Sequence, residues 1–257
     1  MRLVRFEAQG TVSYGIYIGD IVHPIAGDPF GELVTTGEPV PTADIRLVAP
    51  VAPSKVVAVG LNYRDHAAEL GLGIPDEPIL FIKASNTVVG PGASVVYPRQ
   101  SERVDYEGEL AVVIGEETRS VPAEKALSKV LGYTASLDMT ARDLQAKDGQ
   151  WTRAKNFDTF CPLGPWVVTD ISPDDLAIEL RLNGELRQSS RTSQMIFTVS
   201  ELISFTSSVM TLYPGDVIMT GTPSGVGEVK PGDSLDAYIE GIGTLSTRIV
   251  EAGEVAS

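Results

Sequence analysis

Residues 104–115 read VDYEGELAVVIG and end in an apolar run that is typical of a buried strand. Two carboxylates, Glu107 and Glu109, stand at the head of this run with only Gly108 between them. Side chains two positions apart on a strand point to the same face, so both carboxylates are expected to face one spot. Like charges that are close together and buried are unfavourable. The stretch therefore predicts a buried strand with two carboxylates close together at its start.

Composition limits the classes of protein that this chain can be. Its 257 residues suffice for one large domain, and 43% hydrophobic with 21% charged residues is ordinary for a soluble globular protein. A net charge of −14 argues against nucleic-acid binding, which requires a basic surface. No apolar run approaches the roughly 20 residues that span a bilayer, and the N-terminus lacks a secretory signal. We therefore expect a cytoplasmic protein without a membrane partner.

The order of apolar runs and turns predicts a predominantly β fold with a few helices, of the α+β class. Residues 1–50 read as short strands broken by turns and are predicted to form a small N-terminal β-rich unit. Residues 51–257 form the main domain, which begins with the apolar strand SKVVAVG. Helices are expected in NYRDHAAELG, AEKALSKVLG and VSELISFTSSVM.

A third carboxylate, Asp138, closes the predicted strand LGYTASLD. Together with Glu107 and Glu109 it would suit Mg²⁺ or Mn²⁺, which prefer oxygen ligands and keep positions open for water or substrate. Two alternatives remain open from spacing alone. The two glutamates could lie on a solvated strand edge, and Asp138 or Thr140 could cap a helix that opens in MTARDLQ.

Two further groups have the chemistry of a catalytic site. His66 and Glu69 are three residues apart on a predicted helix, where the carboxylate would orient the imidazole as a general base; a plain surface pair is the alternative. Lys155 lies among aromatic and apolar residues and would need an anion if buried. Its alternative is an amine that reaches solvent beside Trp151.

Two other segments offer candidate substrate-binding residues. Arg142 and Gln145 share one face of the helix predicted in TARDLQ, either as substrate contacts or as ordinary surface residues. Thr222 lies in MTGTPSGVG, whose small residues allow a ligand to approach the backbone. This segment has no G-K-[ST] ending, so it is not a phosphate loop.

Taken together, these motifs resemble the fumarylacetoacetate hydrolase family over roughly residues 53–250. The segments VDYEGELAVVIG, SLDMTARDLQ, WTRAKNFDTFCPLGPW, NGELRQ, TSQMIF and YPGDVIMTGTPSGVG occur in the family's order, and they are most similar to its acylpyruvate hydrolase and oxaloacetate decarboxylase branch. The resemblance implies a mixed β-sandwich roll and a homodimer. It also implies roles for matching positions: metal ligands Glu107, Glu109 and Asp138; catalytic residues His66, Glu69 and Lys155; and substrate contacts Arg142, Gln145 and Thr222.

The resemblance further implies an enzyme that uses Mg²⁺ or Mn²⁺ to cleave a C–C bond in a 2-oxo acid through an enolate, by acylpyruvate hydrolysis or oxaloacetate decarboxylation. The alternative is a 2-hydroxyhepta-2,4-diene-1,7-dioate (5-carboxymethyl-2-hydroxymuconate) isomerase or decarboxylase. A metal-binding protein without turnover is a third hypothesis. Such a protein would need neither the base His66 nor the amine of Lys155, which favours an enzyme.

Overall fold

The computed structural model describes residues 1–253. Its strands, numbered in chain order, are β1 Arg2–Ala8, β2 Thr11–Ile18, β3 Ile21–Pro24, β4 Val40–Pro41, β5 Arg46–Val48, β6 Val56–Val59, β7 Leu80–Lys83, β8 Val88–Val89, β9 Ser94–Tyr97, β10 Val104–Tyr106, β11 Gly108–Ile114, β12 Val130–Leu137, β13 Thr140–Ala141, β14 Cys161–Val168, β15 Ala177–Leu182, β16 Glu185–Arg191, β17 Val217–Met219, β18 Gly227–Val229, β19 Ser234–Ile239 and β20 Gly243–Glu251. Its α-helices are α1 Arg64–Leu70, α2 Ala123–Ala126, α3 Arg142–Asp148, α4 Thr152–Lys155 and α5 Val199–Val209. The prediction of a predominantly β fold with a few helices is confirmed.

Strand β11 lies inside a twelve-stranded sheet whose main path runs β4-β3-β2-β1-β14-β12-β11-β17-β6-β7. Strand β5 pairs with β1, and β8 pairs with β14. A second sheet of five strands has the order β16-β15-β19-β20-β9, and a small third sheet has the order β13-β10-β18. The first fifty residues therefore continue the large sheet, because β1 pairs with β14.

The apolar run of β11 is buried on both faces. Leu110 and Val112 point into a core that also contains Leu180 of β15, so the five-stranded sheet covers this side. Ala111 and Val113 point into a second core on the opposite side. Burial on two faces explains why β11 is continuously apolar instead of alternating with polar residues.

The predicted helices are present, but one predicted helix cap is wrong. Helix α1 ends at Gly71, which has the left-handed conformation that favours glycine. Helix α3 begins at Arg142 with Ala141 as its cap residue and no capping side chain. Neither Asp138 nor Thr140 caps it, since the carboxylate of Asp138 is bonded by two lysines and Thr140 lies in β13. Within residues 1–253, no helix combines the length and apolar character needed to cross a bilayer.

Candidate active site

Three carboxylates meet where β11 begins and β12 ends. The strands are antiparallel, with Gly108 opposite Leu137, which places Asp138 beside the two glutamates. One oxygen from each of Glu107, Glu109 and Asp138 lies within 4.8 Å of the others. All three residues are buried. The alternative of a solvated strand edge is therefore excluded by the structure.

Two buried lysines share these carboxylates. The Nζ atom of Lys155 lies 2.5 Å from Asp138 Oδ2 and 3.0 Å from Glu107 Oε2. The Nζ atom of Lys83, at the end of β7, lies 2.5 Å from Asp138 Oδ1 and 2.8 Å from the backbone oxygen of Lys155. The Lys155 side chain is only 3% exposed, so its amine does not reach solvent beside Trp151. Lys83 was not identified from the sequence, where it merely ends an apolar strand.

The electrostatics of the cluster differ from one carboxylate to the next. Burial alone would raise the pKa of Glu107, but the charges of Lys155 and Arg142 outweigh burial and hold its pKa well below the ordinary value. Burial, followed by the charges of Asp138 and Glu107, raises the pKa of Glu109 well above the ordinary value. Burial lowers the pKa of the Lys155 amine, yet its acidic neighbours Asp138 and Glu107 raise that pKa overall. The carboxylates of Asp138 and Glu107 therefore favour the charged form of the Lys155 amine.

Arg142 joins the cluster to a buried aspartate. Its Nε atom donates to Asp105 Oδ2 at 2.9 Å, one Nη donates to Glu107, and the other donates to Gln145 Oε1 at 2.7 Å. Asp105 also accepts from Arg103, with Nε 2.9 Å from Oδ1. The sequence analysis missed Asp105, although the alternation that groups Glu107 and Glu109 extends back to it.

The histidine and glutamate on α1 form the expected pair. His66 Nδ1 lies 3.0 Å from Glu69 Oε2. The backbone N–H of Gly225 donates to the other oxygen of Glu69 at 3.1 Å. Glu69 therefore links the imidazole of α1 to the loop that contains Thr222.

That loop also contacts the carboxylates. The N–H of Gly221 donates to Glu109 Oε2 at 2.8 Å, and Gly221 has a φ of +90° that disfavours any side chain. The Thr222 hydroxyl donates to the backbone oxygen of Gly108 at 2.9 Å. Gln188 of β16, which the sequence analysis quoted but did not assign, binds both Gly108 N and Thr222 Oγ1.

A cavity of about 260 Å³ opens onto these groups. It is lined by Val59, Gly60, Leu61, His66, Leu70, Leu72, Phe81, Glu107, Glu109, Arg142, Gln145, Trp151, Lys155 and Thr222. Seven of the nine sequence-predicted residues thus line one cavity. The other two each bond a residue of that lining, since Asp138 bonds Lys155 and Glu69 bonds His66.

The donor set fits a hard divalent cation. Glu109 is 2% exposed and lines the cavity, and its protein partner is a neutral N–H, that of Gly221. Among the described residues, the ionised form of Glu109 would face two other carboxylates with this N–H as its hydrogen-bond donor, an arrangement that a divalent ion would relieve. Carboxylate oxygens from three residues, next to an open cavity, match the ligands that Mg²⁺ and Mn²⁺ prefer.

Several known proteins are similar to this chain over most of its length. The 46%-identical Protein Rv2993c of Mycobacterium tuberculosis aligns over 99% of this chain and 100% of its own length. The mitochondrial oxaloacetate tautomerase Fahd2a of Rattus norvegicus is 44% identical over 82% of this chain and 71% of that protein. The crystal structure of a 5-carboxymethyl-2-hydroxymuconate delta-isomerase from Mycobacterium smegmatis superposes with a TM-score of 0.93 and 46% identity, covering 98% of this chain and 100% of that chain.

Two family models account for nearly the whole chain. Residues 1–50 match the family described as Rv2993c-like, N-terminal. Residues 55–250 match the family described as fumarylacetoacetate (FAA) hydrolase C-terminal. The second match covers most of the chain and the relatives are similar over most of its length, so the chain belongs to the fumarylacetoacetate hydrolase family of enzymes.

Proposed function

We propose that this protein is a divalent-metal-dependent enzyme that cleaves a C–C bond in a 2-oxo acid, with acylpyruvate hydrolysis as its main reaction. One observation carries the proposal: an imidazole oriented by a carboxylate, that of His66, lines the same cavity as the carboxylate cluster and the ammonium group of Lys155. A base, a charge-stabilising cation and a metal site are the three groups that this reaction requires.

Glu107, Glu109 and Asp138 would hold the Mg²⁺ or Mn²⁺ ion. When bound, that ion supplies Lewis acidity toward the carboxylate and keto oxygens of a 2-oxo acid. Arg142 and Gln145 line the cavity beside Glu107, and their N–H groups suit the substrate's carboxylate. The Thr222 hydroxyl lies on the same wall.

His66 is suited to activate water. Glu69 accepts a hydrogen bond from Nδ1–H in the neutral tautomer, which leaves the lone pair on Nε2 to take a proton. The resulting hydroxide attacks the distal carbonyl carbon, and the bond from that carbon to the methylene group then breaks. The electron pair passes into the enolate of pyruvate while the distal part leaves as a carboxylic acid. Protonation of the enolate carbon completes the reaction.

Lys155 stabilises the negative charge that develops during bond cleavage. Its amine is buried, and the neighbouring carboxylates raise its pKa, so the charge of its protonated form acts in surroundings where water screens little. Removal of such a group typically lowers the rate by about 10²–10³-fold.

A second candidate is proton transfer without C–C cleavage, as tautomerisation or isomerisation of a 2-oxo dicarboxylate. The names of two relatives favour it, one an oxaloacetate tautomerase and the other a 5-carboxymethyl-2-hydroxymuconate delta-isomerase. This chemistry needs a base and a stabilised enolate but no attacking water. The same residues support it, and decarboxylation of oxaloacetate would use the same enolate.

The test is turnover of acetylpyruvate, oxaloacetate and a hydroxymuconate-type dienoate, each with Mg²⁺ and after chelation. We expect metal-dependent hydrolysis of acetylpyruvate that falls about 10²–10⁴-fold in His66→Ala without loss of metal binding. His23→Ala is the matched control, because the second histidine lies in β3 outside the cavity. Hydrolysis that survives complete metal removal would refute the mechanism. Turnover of the dienoate or oxaloacetate without hydrolysis of acetylpyruvate would favour the second candidate.

A further inference from the structure

Asp105 of β10 is a buried carboxylate, 2% exposed, that does not line the cavity. Its Oδ2 atom accepts from Arg142 Nε at 2.9 Å. Arg103 donates to both oxygens, from Nε to Oδ1 at 2.9 Å and from Nη2 to Oδ2 at 3.2 Å. The proposed reaction assigns no role to this acid. A buried carboxylate is costly unless it is paired, so its partners indicate what it does.

The guanidinium group of Arg142 is held at three points. Asp105 accepts from Nε, Gln145 accepts from one terminal nitrogen at 2.7 Å, and Glu107 accepts from the other. Within residues 1–253 these bonds use three of the five N–H groups, which leaves one on each terminal nitrogen. Arg142 lines the cavity, so the remaining pair suits the two oxygens of a substrate carboxylate.

Of these three partners, Asp105 is the one that lies outside the cavity lining, since Glu107 and Gln145 both belong to it. Strand β10 pairs with β13, which directly precedes Arg142, and on its other side with β18. The backbone N–H of Arg142 also donates to the backbone oxygen of Arg103 at 2.8 Å. The backbones of Asp105 and Arg142 are therefore fixed relative to each other, whatever occupies the cavity.

Arg103 limits how far Asp105 neutralises Arg142. An acid paired with Arg142 alone would weaken the attraction of that guanidinium for a further carboxylate. Asp105 instead divides its hydrogen bonds between two arginines. Glu107 is shared in the same way, between Arg142 and Lys155. The charge of Arg142 is thus only partly compensated by its acidic partners.

We propose that Asp105 is a positioning residue, which fixes the plane of the Arg142 guanidinium so that its two remaining N–H groups meet the carboxylate of a 2-oxo acid. This inference rests on the proposed function, in which Arg142 binds that carboxylate. An arginine side chain has several rotatable bonds, and a partner that orders it beforehand reduces the entropy lost when the ligand binds. Asp105 acts through Arg142 and contacts neither the substrate nor the ion.

The test is a double-mutant cycle on the Kd of pyruvate, a small 2-oxo acid, measured by calorimetry in saturating Mg²⁺. Asp105→Asn keeps the shape of the side chain, and Arg142→Met removes the guanidinium but keeps an unbranched side chain. We expect each single substitution to weaken pyruvate binding about tenfold or more. In the Arg142→Met background, Asp105→Asn should add less than about twofold, because its effect passes through Arg142.

Two results of this cycle would overturn the proposal. One is an Asp105→Asn effect of the same size in both backgrounds, which would mean that Asp105 acts independently of Arg142. The other is wild-type affinity for pyruvate in either single variant.

Asp143→Asn is the matched control. Asp143 is the neighbour of Arg142 on α3, but it accepts from the Ser101 hydroxyl at 2.6 Å and from the Glu102 N–H at 3.1 Å. We expect unchanged pyruvate binding in this variant, and an equal loss in both acid variants would contradict the role of Asp105. Both variants should also keep the rise in Tm that Mg²⁺ produces. Loss of that rise in Asp105→Asn would place Asp105 in the metal site instead.

Arg142→Lys tests the geometry while Asp105 stays intact. Lysine retains the charge but has no Nε–H for Asp105 and no planar fork for a carboxylate. We expect pyruvate to bind about fivefold or more weakly than to the wild type. Wild-type affinity would show that charge alone suffices and would overturn the inference. If these binding results hold but no acylpyruvate is hydrolysed, the proposed reaction alone is refuted.

Discussion

Lys83 has its amine between Asp138 and the backbone oxygen of Lys155, and its side chain is wholly buried. Substitution by Met would remove one of the two cations that compensate Asp138. The loss of one partner from a buried ion pair is costly because the remaining charge stays buried. We expect Lys83→Met to lower the free energy of unfolding by on the order of 3 kcal/mol, measured by denaturant titration.

Lys129→Met is the matched control for this substitution. Lys129 pairs with Glu116 on the surface, where the two side chains are 28% and 58% exposed. Such pairs contribute about 0–1 kcal/mol to stability. If both lysine variants lost the same small amount, the ion pair between Lys83 and Asp138 would not be a main contributor to the stability of the site.

At the scale of single residues, the sequence identified the three acidic residues of the cluster but not Lys83, the lysine that pairs with Asp138. Glu107 and Glu109 could be grouped because alternation along a strand is a local property. Lys83 is separated from Asp138 by 55 positions, and their contact depends on how β7 and β12 are placed in one sheet. No local pattern reports such a contact.

Helix α1 has only seven residues, which is too short for stability without tertiary contacts. Three contacts hold it in place. The hydroxyl of Ser190 on β16 donates to Asp65 Oδ2 at 2.6 Å, and the N–H of Gly225 donates to Glu69. Arg64 donates to the backbone oxygen of Met195 at 2.9 Å. The position of His66 therefore depends on β16 and on two loops.

We expect Ser190→Ala to loosen α1 without unfolding the protein. A hydrogen bond to a charged group contributes about 1.5–3 kcal/mol, so amide exchange in α1 should accelerate roughly tenfold or more. Hydrogen exchange followed by mass spectrometry measures this change. Ser189→Ala on the same strand is the control, since Ser189 is exposed and outside these contacts. Unchanged exchange in α1 would show that the other two contacts suffice.

The sequence predicted helices from local signals and erred where tertiary contacts intervened. Gly71 ends α1 at the close of the predicted segment. Thr198 is the cap residue before α5, and it forms reciprocal hydrogen bonds with Glu201 in the first turn. Asp138 is of a residue type that often caps helices, but its carboxylate is bound by lysines from β7 and α4. A side chain that pairs with a charged group elsewhere in the fold does not cap the helix beside it in the sequence.

For the whole molecule, the class of the fold was predictable and the strand order was not. Apolar runs and turns mark strands because both signals are local. The large sheet places β14 between β1 and β12, and it pairs β17 with β6 in parallel. These pairings join segments that are far apart in the chain. They depend on how whole faces pack, as in the two cores on either side of β11.

A property of the whole chain, its thermal stability, reports on the metal site without any substrate. A ligand that binds the folded state alone stabilises it by about 2.7 kcal/mol at one hundred times its Kd. For a protein of this size, Mg²⁺ should then raise the Tm by roughly 5–10 °C. Differential scanning fluorimetry across a Mg²⁺ series, beginning from chelator-treated protein, measures this shift.

Glu109→Gln should remove that shift and at the same time raise the Tm of the metal-free protein. The substitution replaces a carboxyl group whose ionised form is disfavoured by burial and by the charges of Asp138 and Glu107, and it keeps a side chain of the same shape. Glu117→Gln changes the net charge equally at an exposed position and should retain the full Mg²⁺ shift. If both variants kept the shift, the ion would bind elsewhere on this acidic chain. A Tm of metal-free Glu109→Gln below that of the wild type would mean that the carboxylate stabilises the fold by itself.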